Sequence, residues 1–196
     1  LFERNRVMSR KKVSRYILLF LLCGLVCVLC SKYFFEEQIK EIIRERISNQ
    51  VYKNKSILEE LVAEISERND LQNIHISERG QNTIAYKDLD DPLFTKVFNK
   101  FHLIMISNEL DQLENPYVAF YIYPNASLLW DGYSYGFYYS CCNEPIDIYN
   151  GKKCDLEFED EMGFYARYHY KTNQIMENWW YYERTITVIE SMKRKF

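Results

Sequence analysis

Three histidines, six cysteines and a run of carboxylates are the side chains of this 196-residue chain with the most reactive chemistry. His75, His102 and His169 lie far apart. None has the HxxxH or HExxH spacing that sets two imidazoles on one helix face around zinc. His169 is therefore expected to be a lone histidine on the wet face of a strand. The run Asp155, Glu157, Glu159, Asp160 and Glu161 carries enough oxygens for Ca²⁺ but lacks the glycine and ligand order of a calcium loop, so it is expected to be a solvated loop. In a strand, Asp155, Glu157 and Glu159 would share one side and repel one another unless wet or metal-bound. There is no GxSxG elbow, no phosphate-cradling glycine loop and no dinucleotide fingerprint. Two enzymatic arrangements can still be written. One is a thiol and base from Cys141 or Cys142 with His169. The other is a glycan hydrolase using two of Glu144, Glu177 and Glu183, which needs carboxylates about 5 to 9.5 Å apart across a cleft. No motif supports either, and the expectation is a non-catalytic protein with no cofactor and no metal.

The cysteines divide into two sets of three. Cys23, Cys27 and Cys30 fall at i, i+4 and i+7, on one helix face inside an apolar run, where cysteine serves as a small apolar residue. Acylation and a helix-pairing seam are the functional alternatives. Cys141, Cys142 and Cys154 form an odd set. The expected bridge joins Cys154 to Cys141 or Cys142 and closes a short loop over Asn143 to Lys153.

Aromatic density is the strongest compositional signal. Thirteen of the seventeen tyrosines and all three tryptophans lie between Tyr117 and Tyr182. Tyrosine and tryptophan combine apolar area with a polar tip, which suits protein interfaces and stacking on sugar rings. A binding face would include Tyr138, Tyr165 and Trp179. The plainer account is a small sheet that uses tyrosine on both faces, with half of these residues in its core by alternation alone.

The elements that position these residues follow from periodicity. Ile39, Ile43, Ile47 and Val51, then Leu58, Leu61, Val62 and Ile65, step at helical intervals. They predict two helices, or one long helix restarted near Asn54, with Ser56 to Glu59 as a capping box and an end near Arg68. Ile74-His75-Ile76 and Thr83 to Tyr86 read as short strands of a hairpin around Gly80. Asp91-Pro92 opens a helix with apolar face Leu93, Phe94, Val97, Phe98 and Phe101, and His102 to Ile106 is strand-like. Tyr117–Tyr123, Tyr133–Tyr139, Phe164–Lys171 and Trp179–Ile189 read as successive antiparallel strands, separated by turn residues such as Pro124-Asn125, Asp131-Gly132 and Asn150-Gly151. In the third, Phe164, Ala166, Tyr168 and Tyr170 share one face, while Tyr165, Arg167, His169 and Lys171 share the other. Helices first and strands afterwards predict an α+β domain, with helices packed on one face of an antiparallel sheet.

Ahead of that domain, Tyr16 to Ser31 reads YILLFLLCGLVCVLCS, without a charge. Extended through Lys32 and Tyr33-Phe34-Phe35 it spans roughly 30 Å as a helix, with Lys32 able to snorkel to the headgroups. Arg4, Arg6, Arg10, Lys11, Lys12 and Arg15 precede it, and basic flanks stay on the cytoplasmic side. The predicted organisation is a cytoplasmic basic tail at 1–15, a transmembrane anchor at 16–35 embedded in membrane lipid, a helical stalk or packing helices at 36–69, and an extracytoplasmic α+β domain at 70–196. A cleaved signal peptide is the alternative reading of the same run. The whole chain has a formal charge of −3; residues 1–15 hold six basic and one acidic residue, which leaves −8 on the remainder. A domain of that sign has no bulk attraction for nucleic acid.

Two segments carry a resemblance. Tyr135-Gly136-Phe137-Tyr138-Tyr139-Ser140, followed by Asn143-Glu144-Pro145, and Glu177-Asn178-Trp179-Trp180-Tyr181-Tyr182-Glu183 are similar to the YGFYYS and NWYYYE segments of small uncharacterised proteins of clostridia-like bacteria, often membrane-anchored or secreted. The likeness covers about the last 80 residues of the sequence. It implies a bacterial envelope setting and carries no activity. The sequence therefore predicts a single-pass envelope protein whose outer domain is a non-catalytic accessory or binding module for an unidentified protein or glycan, with a cell-wall glycan binder using the aromatic face, or the carboxylate-dependent hydrolase above, as alternatives.

Overall fold

A computed structural model describes residues 2–68, 71–76, 83–111, 113–122, 133–162 and 166–188. Internal contacts divide the chain into two units, Leu1–Glu45 and Arg46–Phe196. The first unit is helical throughout its described length. Helix α1 (Phe2–Lys53) passes through the apolar run without a break and continues into the second unit. Its Glu37–Lys40 and Glu41–Arg44 pairs, at 2.9 and 2.7 Å, are the i, i+3 ion pairs that such a sequence makes along a helix surface.

The second unit is α+β. Asn54 ends α1: its side-chain amide donates to Gln50 O at 2.6 Å, and α2 (Lys55–Glu67) restarts immediately. The restart near Asn54 is as predicted, but the capping box is not. Ser56 lies inside α2, whose N-cap residue is Asn54 and whose first turn has no side-chain cap. Leu58, Leu61, Val62 and Ile65 form the buried stripe. Helix α3 (Pro92–Phe101) starts as expected: Asp91 accepts from Leu93 N at 2.7 Å, proline occupies the first turn, and Phe94, Val97, Phe98 and Phe101 are buried.

Among the described residues, the principal sheet has eight strands: β1 (Asn73–His75), β2 (Thr83–Ala85), β3 (Leu103–Leu110), β4 (Pro116–Ile122), β5 (Tyr133–Ser140), β8 (Glu157–Met162), β9 (Ala166–Met176) and β10 (Trp179–Val188). Their order across the sheet is β2-β1-β3-β4-β5-β10-β9-β8. Strands β6 (Ile146–Asp147) and β7 (Lys152–Lys153) form a separate small hairpin whose turn holds Asn150 and Gly151, the latter at φ +65.

Three expectations need correction. Strands β1 and β2 pair in parallel, with Ile74 opposite Ile84, so they are not a hairpin. The direction of β2 is set by its exit, because Tyr86 follows directly and stacks on Phe98 of α3 at 4.5 Å. The later strands are not a sequential meander either, since β10 inserts between β5 and β9. Tryptophan and tyrosine on both faces of β10 gain most from a central position, whereas β8, with four acids in six residues, suits an edge. Finally, the acidic run from Glu157 is strand β8 rather than a loop. The turns at Pro124-Asn125 and Asp131-Gly132, the turn at Gly80, and Phe164 lie outside the described residues.

Both faces of the central strands are covered. Residues directly opposite in an antiparallel pair share a face, and the ladders place Ile106, Phe120, Phe137 and Tyr181 on one face and Ser107, Ala119, Tyr138, Trp180 and Tyr182 on the other. Helix α3 covers the first, with the Phe101 ring 5.1 Å from that of Phe137. The β6–β7 hairpin covers the second, where Ile146 and Ile148 join Tyr117, Tyr138, Tyr168, Tyr170 and Tyr182 in one buried cluster.

Candidate functional site

The predicted binding face does not assemble. Trp180 lies opposite Tyr138 and Trp179 lies opposite Tyr139, so Trp179 and Tyr138 point to opposite faces of the sheet. Both are fully buried. Trp179 packs between Phe120, Phe137 and Tyr139 at ring distances of 5.9, 6.0 and 5.3 Å. Tyr138 accepts from Ile146 N at 3.0 Å and lies 3.1 Å from Thr172 Oγ1 beneath the hairpin. Neither ring can stack on a sugar, which corrects their assignment as binding residues. Tyr165, the third member, lies outside the described residues.

What most of the buried tyrosines do instead is hydrogen-bond within a two-sided core, in which Tyr182 Oη and the Trp179 and Trp180 indole nitrogens are buried without a hydrogen-bond partner among the described residues. On the hairpin face, Asp147 is buried and accepts from Tyr168 OH at 3.0 Å and from Tyr149 N at 3.1 Å. The Arg184 guanidinium lies over the rings of Tyr149 and Tyr168, with centroid distances of 3.9 and 4.9 Å. Tyr170 OH donates to Ile146 O at 2.9 Å, and Tyr117 OH donates to Glu109 at 2.8 Å and to Ile148 O at 3.2 Å. On the helix face, Tyr133 and Tyr181 both donate to Glu183 Oε2, at 3.2 and 3.0 Å. Burial, reinforced by neighbouring carboxylates, pushes the Tyr117, Tyr133 and Tyr138 phenols well above their ordinary value. They remain neutral donors rather than bases.

The enzymatic arrangements fare no better. Glu183, a hydrolase candidate, is buried between those two phenols. Glu144 pairs with Lys153 at 2.6 Å on the surface, and Glu177 is exposed on the turn joining β9 to β10. His169 is not alone: its Nε2 lies 2.8 Å from Glu157 Oε1, and Lys171 Nζ lies 3.6 Å from Glu157 Oε2. Slight burial works against it, but Lys171 and His169 hold the Glu157 carboxyl below its ordinary range. Strand register sets Glu157, Glu159 and Glu161 at positions opposite Lys171, His169 and Arg167, and Glu157 pairs with both His169 and Lys171. Cross-strand pairing with a basic neighbour was the signal that the acidic composition alone concealed.

The thiol and base do not meet. His169 pairs with Thr185, six residues along β10 from Trp179, roughly 20 Å at the usual strand rise, whereas Ser140, next to Cys141, bonds Asn178 O at the Trp179 end. Cys141, Cys142 and Cys154 are free thiols, so the expected bridge to Cys154 is not formed. Cys154 is half-buried against the hairpin-face cluster, where burial and then the charges of Asp147 and Asp155 push its thiol up to about 12. Among the described residues no group of three His, Cys, Asp or Glu side chains could hold a metal ion.

In α1, Ile17 to Leu22 are each more than half exposed although six consecutive residues sample every side of a helix. Leu25, Val26, Phe34 and Phe35 are exposed as well. Tyr16, Ser31 and Lys32, expected within the anchor, all have helical backbone. Among the described residues no helix is long and apolar enough to cross a membrane. No family model, curated protein or solved structure matches the chain.

Proposed function

We propose that the protein is a single-pass bacterial envelope protein, anchored in lipid through residues 16–35, with residues 1–15 in the cytoplasm and its α+β unit outside as a non-catalytic accessory or binding module. The observation that carries this reading is the all-round exposure of Ile17 to Leu22. A helix apolar on every side and uncovered by its own chain calls for an apolar surrounding. The unbroken α1 backbone satisfies its own peptide groups through that stretch, as lipid requires. The basic flank supplies the direction.

The module reading is supported by where the aromatic residues went. With Tyr138 and Trp179 inside, the described surface offers a partner the Glu157, His169 and Lys171 cluster of β8 and β9 and exposed apolar residues such as Leu110 and Leu113. A protein partner suits this surface better than a glycan.

The test is to place a tag after Phe196, label intact cells with a membrane-impermeant reagent, and fractionate their membranes in alkaline carbonate. The tag should be labelled from outside, and the protein should stay in the pellet. Release into the supernatant, or a tag reached only after permeabilisation, would refute the anchor or its direction. After impermeant crosslinking, one stoichiometric protein should co-purify.

A further inference from the structure

Successive side chains of a strand point to opposite faces, so adjacent cysteines meet only where the chain turns. Cys141 and Cys142 occupy such a turn, immediately after β5, and their Sγ atoms are 3.6 Å apart on the exposed surface. The turn is held from three directions. Asn143 N closes it on Ser140 O at 3.1 Å, with Asn143 in the left-handed region at φ +54. Cys141 N reaches Pro116 O of β4 at 3.5 Å. Asn143 Oδ1 accepts from Asn178 N at 2.8 Å and from Gln174 Nε2 at 2.7 Å, tying the turn to the end of β9 and β10. The two thiols are held with the turn.

The separation of the two sulfurs sets what each chemistry would require of them. A disulfide needs about 2.05 Å between them, and between neighbouring residues it closes a strained ring. Two thiolates on one tetrahedral ion, with bonds of about 2.3 Å, lie roughly 3.8 Å apart. The observed 3.6 Å is ordinary contact between two unbridged thiols, far from the first value and within a few tenths of an ångström of the second, so both sulfurs can reach one ion with little movement. Cys154 packs against the hairpin-face cluster and takes no part in the pair. An occupant must displace the thiol protons.

We propose that Cys141 and Cys142 form a bidentate site for one thiophilic ion, a soft divalent cation or a trivalent metalloid, held by two thiolates with its remaining positions open to solvent or to a partner's ligand. With a divalent cation, two S–H bonds break, two metal–sulfur bonds form and two protons leave to solvent. With an organoarsenic(III) oxide, two As–S bonds replace the As–O bonds, and the two thiol protons depart with that oxygen as water. No electron is transferred in either case. Two ligands with open positions suit capture and handover of an ion rather than a permanent structural role.

The test uses the full chain in mild detergent with Cys23, Cys27 and Cys30 replaced by Ser, so that only the three thiols of the second unit remain. The probes are Cd²⁺, followed by its thiolate charge-transfer absorbance, and phenylarsine oxide, followed by intact mass. One equivalent of each should bind, and Cys154→Ser should leave binding unchanged. Cys141→Ser and Cys142→Ser should each weaken it by about a hundredfold or more, the loss expected when a two-point attachment becomes one-point. Cd²⁺ affinity should rise with pH by about tenfold per unit for each proton displaced. Far-UV circular dichroism establishes that each variant is folded, and Cys142→Ala serves if a serine variant is not. Equal loss in Cys154→Ser, a loss below about threefold in either member of the pair, or a bridge found on peptide mapping of protein isolated without reductant would overturn the proposal.

Discussion

Gly136 gives the sharpest test of the packing. It lies on β5 opposite Tyr121 of β4, and its hairpin-side surface is filled by Tyr182 of β10. A Cβ placed there would come 2.1 Å from Phe120 O, 2.8 Å from Tyr182 Oη and 2.9 Å from Tyr182 Cε1. Ordinary carbon-to-oxygen contacts in sheets are about 3.3 Å or more, so β4 and β5 must part by roughly 1 Å. The obstacle at 2.1 Å is backbone and cannot rotate away. Gly136→Ala should therefore lose two or three ladder hydrogen bonds at about 1 kcal/mol each and add packing strain of about 1 to 3 kcal/mol, a total of roughly 3 to 6 kcal/mol. For a unit of this size each kcal/mol shifts the thermal midpoint by about 2 to 4 °C, so the midpoint should fall by roughly 10 °C. Urea unfolding of the full chain followed by tryptophan fluorescence measures the loss. Gly24→Ala is the control, because a Cβ at Gly24 meets nothing within 4 Å. A loss below about 1 kcal/mol at Gly136 would mean that β4, β5 and Tyr182 are not packed as described.

Other consequences follow from the buried phenols and Arg184. Because burial raises the pKa of Tyr117, Tyr133, Tyr138, Tyr170, Tyr181 and Tyr182, the folded chain keeps protons that the unfolded chain releases. That stability is fully present below the unfolded phenol value of about 10 and is lost as pH rises above it, by up to about 1.4 kcal/mol per unit for each phenol. The tyrosinate absorbance of these six phenols should therefore appear in one cooperative step together with loss of tryptophan structure above about pH 10, after any exposed tyrosines such as Tyr52 have titrated; gradual titration of all the tyrosines in a folded chain would contradict the burial. Arg184→Met should cost about 1 to 2 kcal/mol in urea unfolding through loss of its two ring contacts, and Arg184→Lys should recover part of it. Equal stability of all three forms would show that the guanidinium is idle.

Local grammar was legible wherever one residue decides one backbone feature. Asp91-Pro92 announced α3, Asn150-Gly151 the β6–β7 turn, and the alternation in Ala166 to Lys171 separated buried Tyr168 and Tyr170 from exposed Arg167. Strand order was not legible, because it depends on competition among strands for the centre, which no single strand encodes. The candidate site failed for a related reason. Trp179 and Trp180 straddle a register shift between β10 and β9, and without the pairing of β10 to β5 nothing fixes which indole shares a face with Tyr138. Sequence alternation also assigns faces without saying whether a face is covered. Here the β6–β7 hairpin covers the face that would otherwise have been wet, and its Ile146 and Ile148 are too few to advertise that role.

The double covering bears on how such a domain can act. An interface core normally draws on exposed tyrosine and tryptophan as anchors, and here Trp179, Trp180 and most of the described tyrosines of the sheet are taken up by the domain's own two-sided core. The charged surface of β8 and β9 supplies pairs that are exposed, and exposed pairs contribute about 1 kcal/mol or less. Contacts of that kind give selectivity and on-rate more than affinity. A module with such a surface works best when something else supplies concentration, and the lipid anchor proposed for residues 16–35 would do so by confining it beside other membrane proteins. Capture of a partner should depend on residues 16–35 even though they make no contact with it, and it should weaken with salt in a way that an aromatic interface would not.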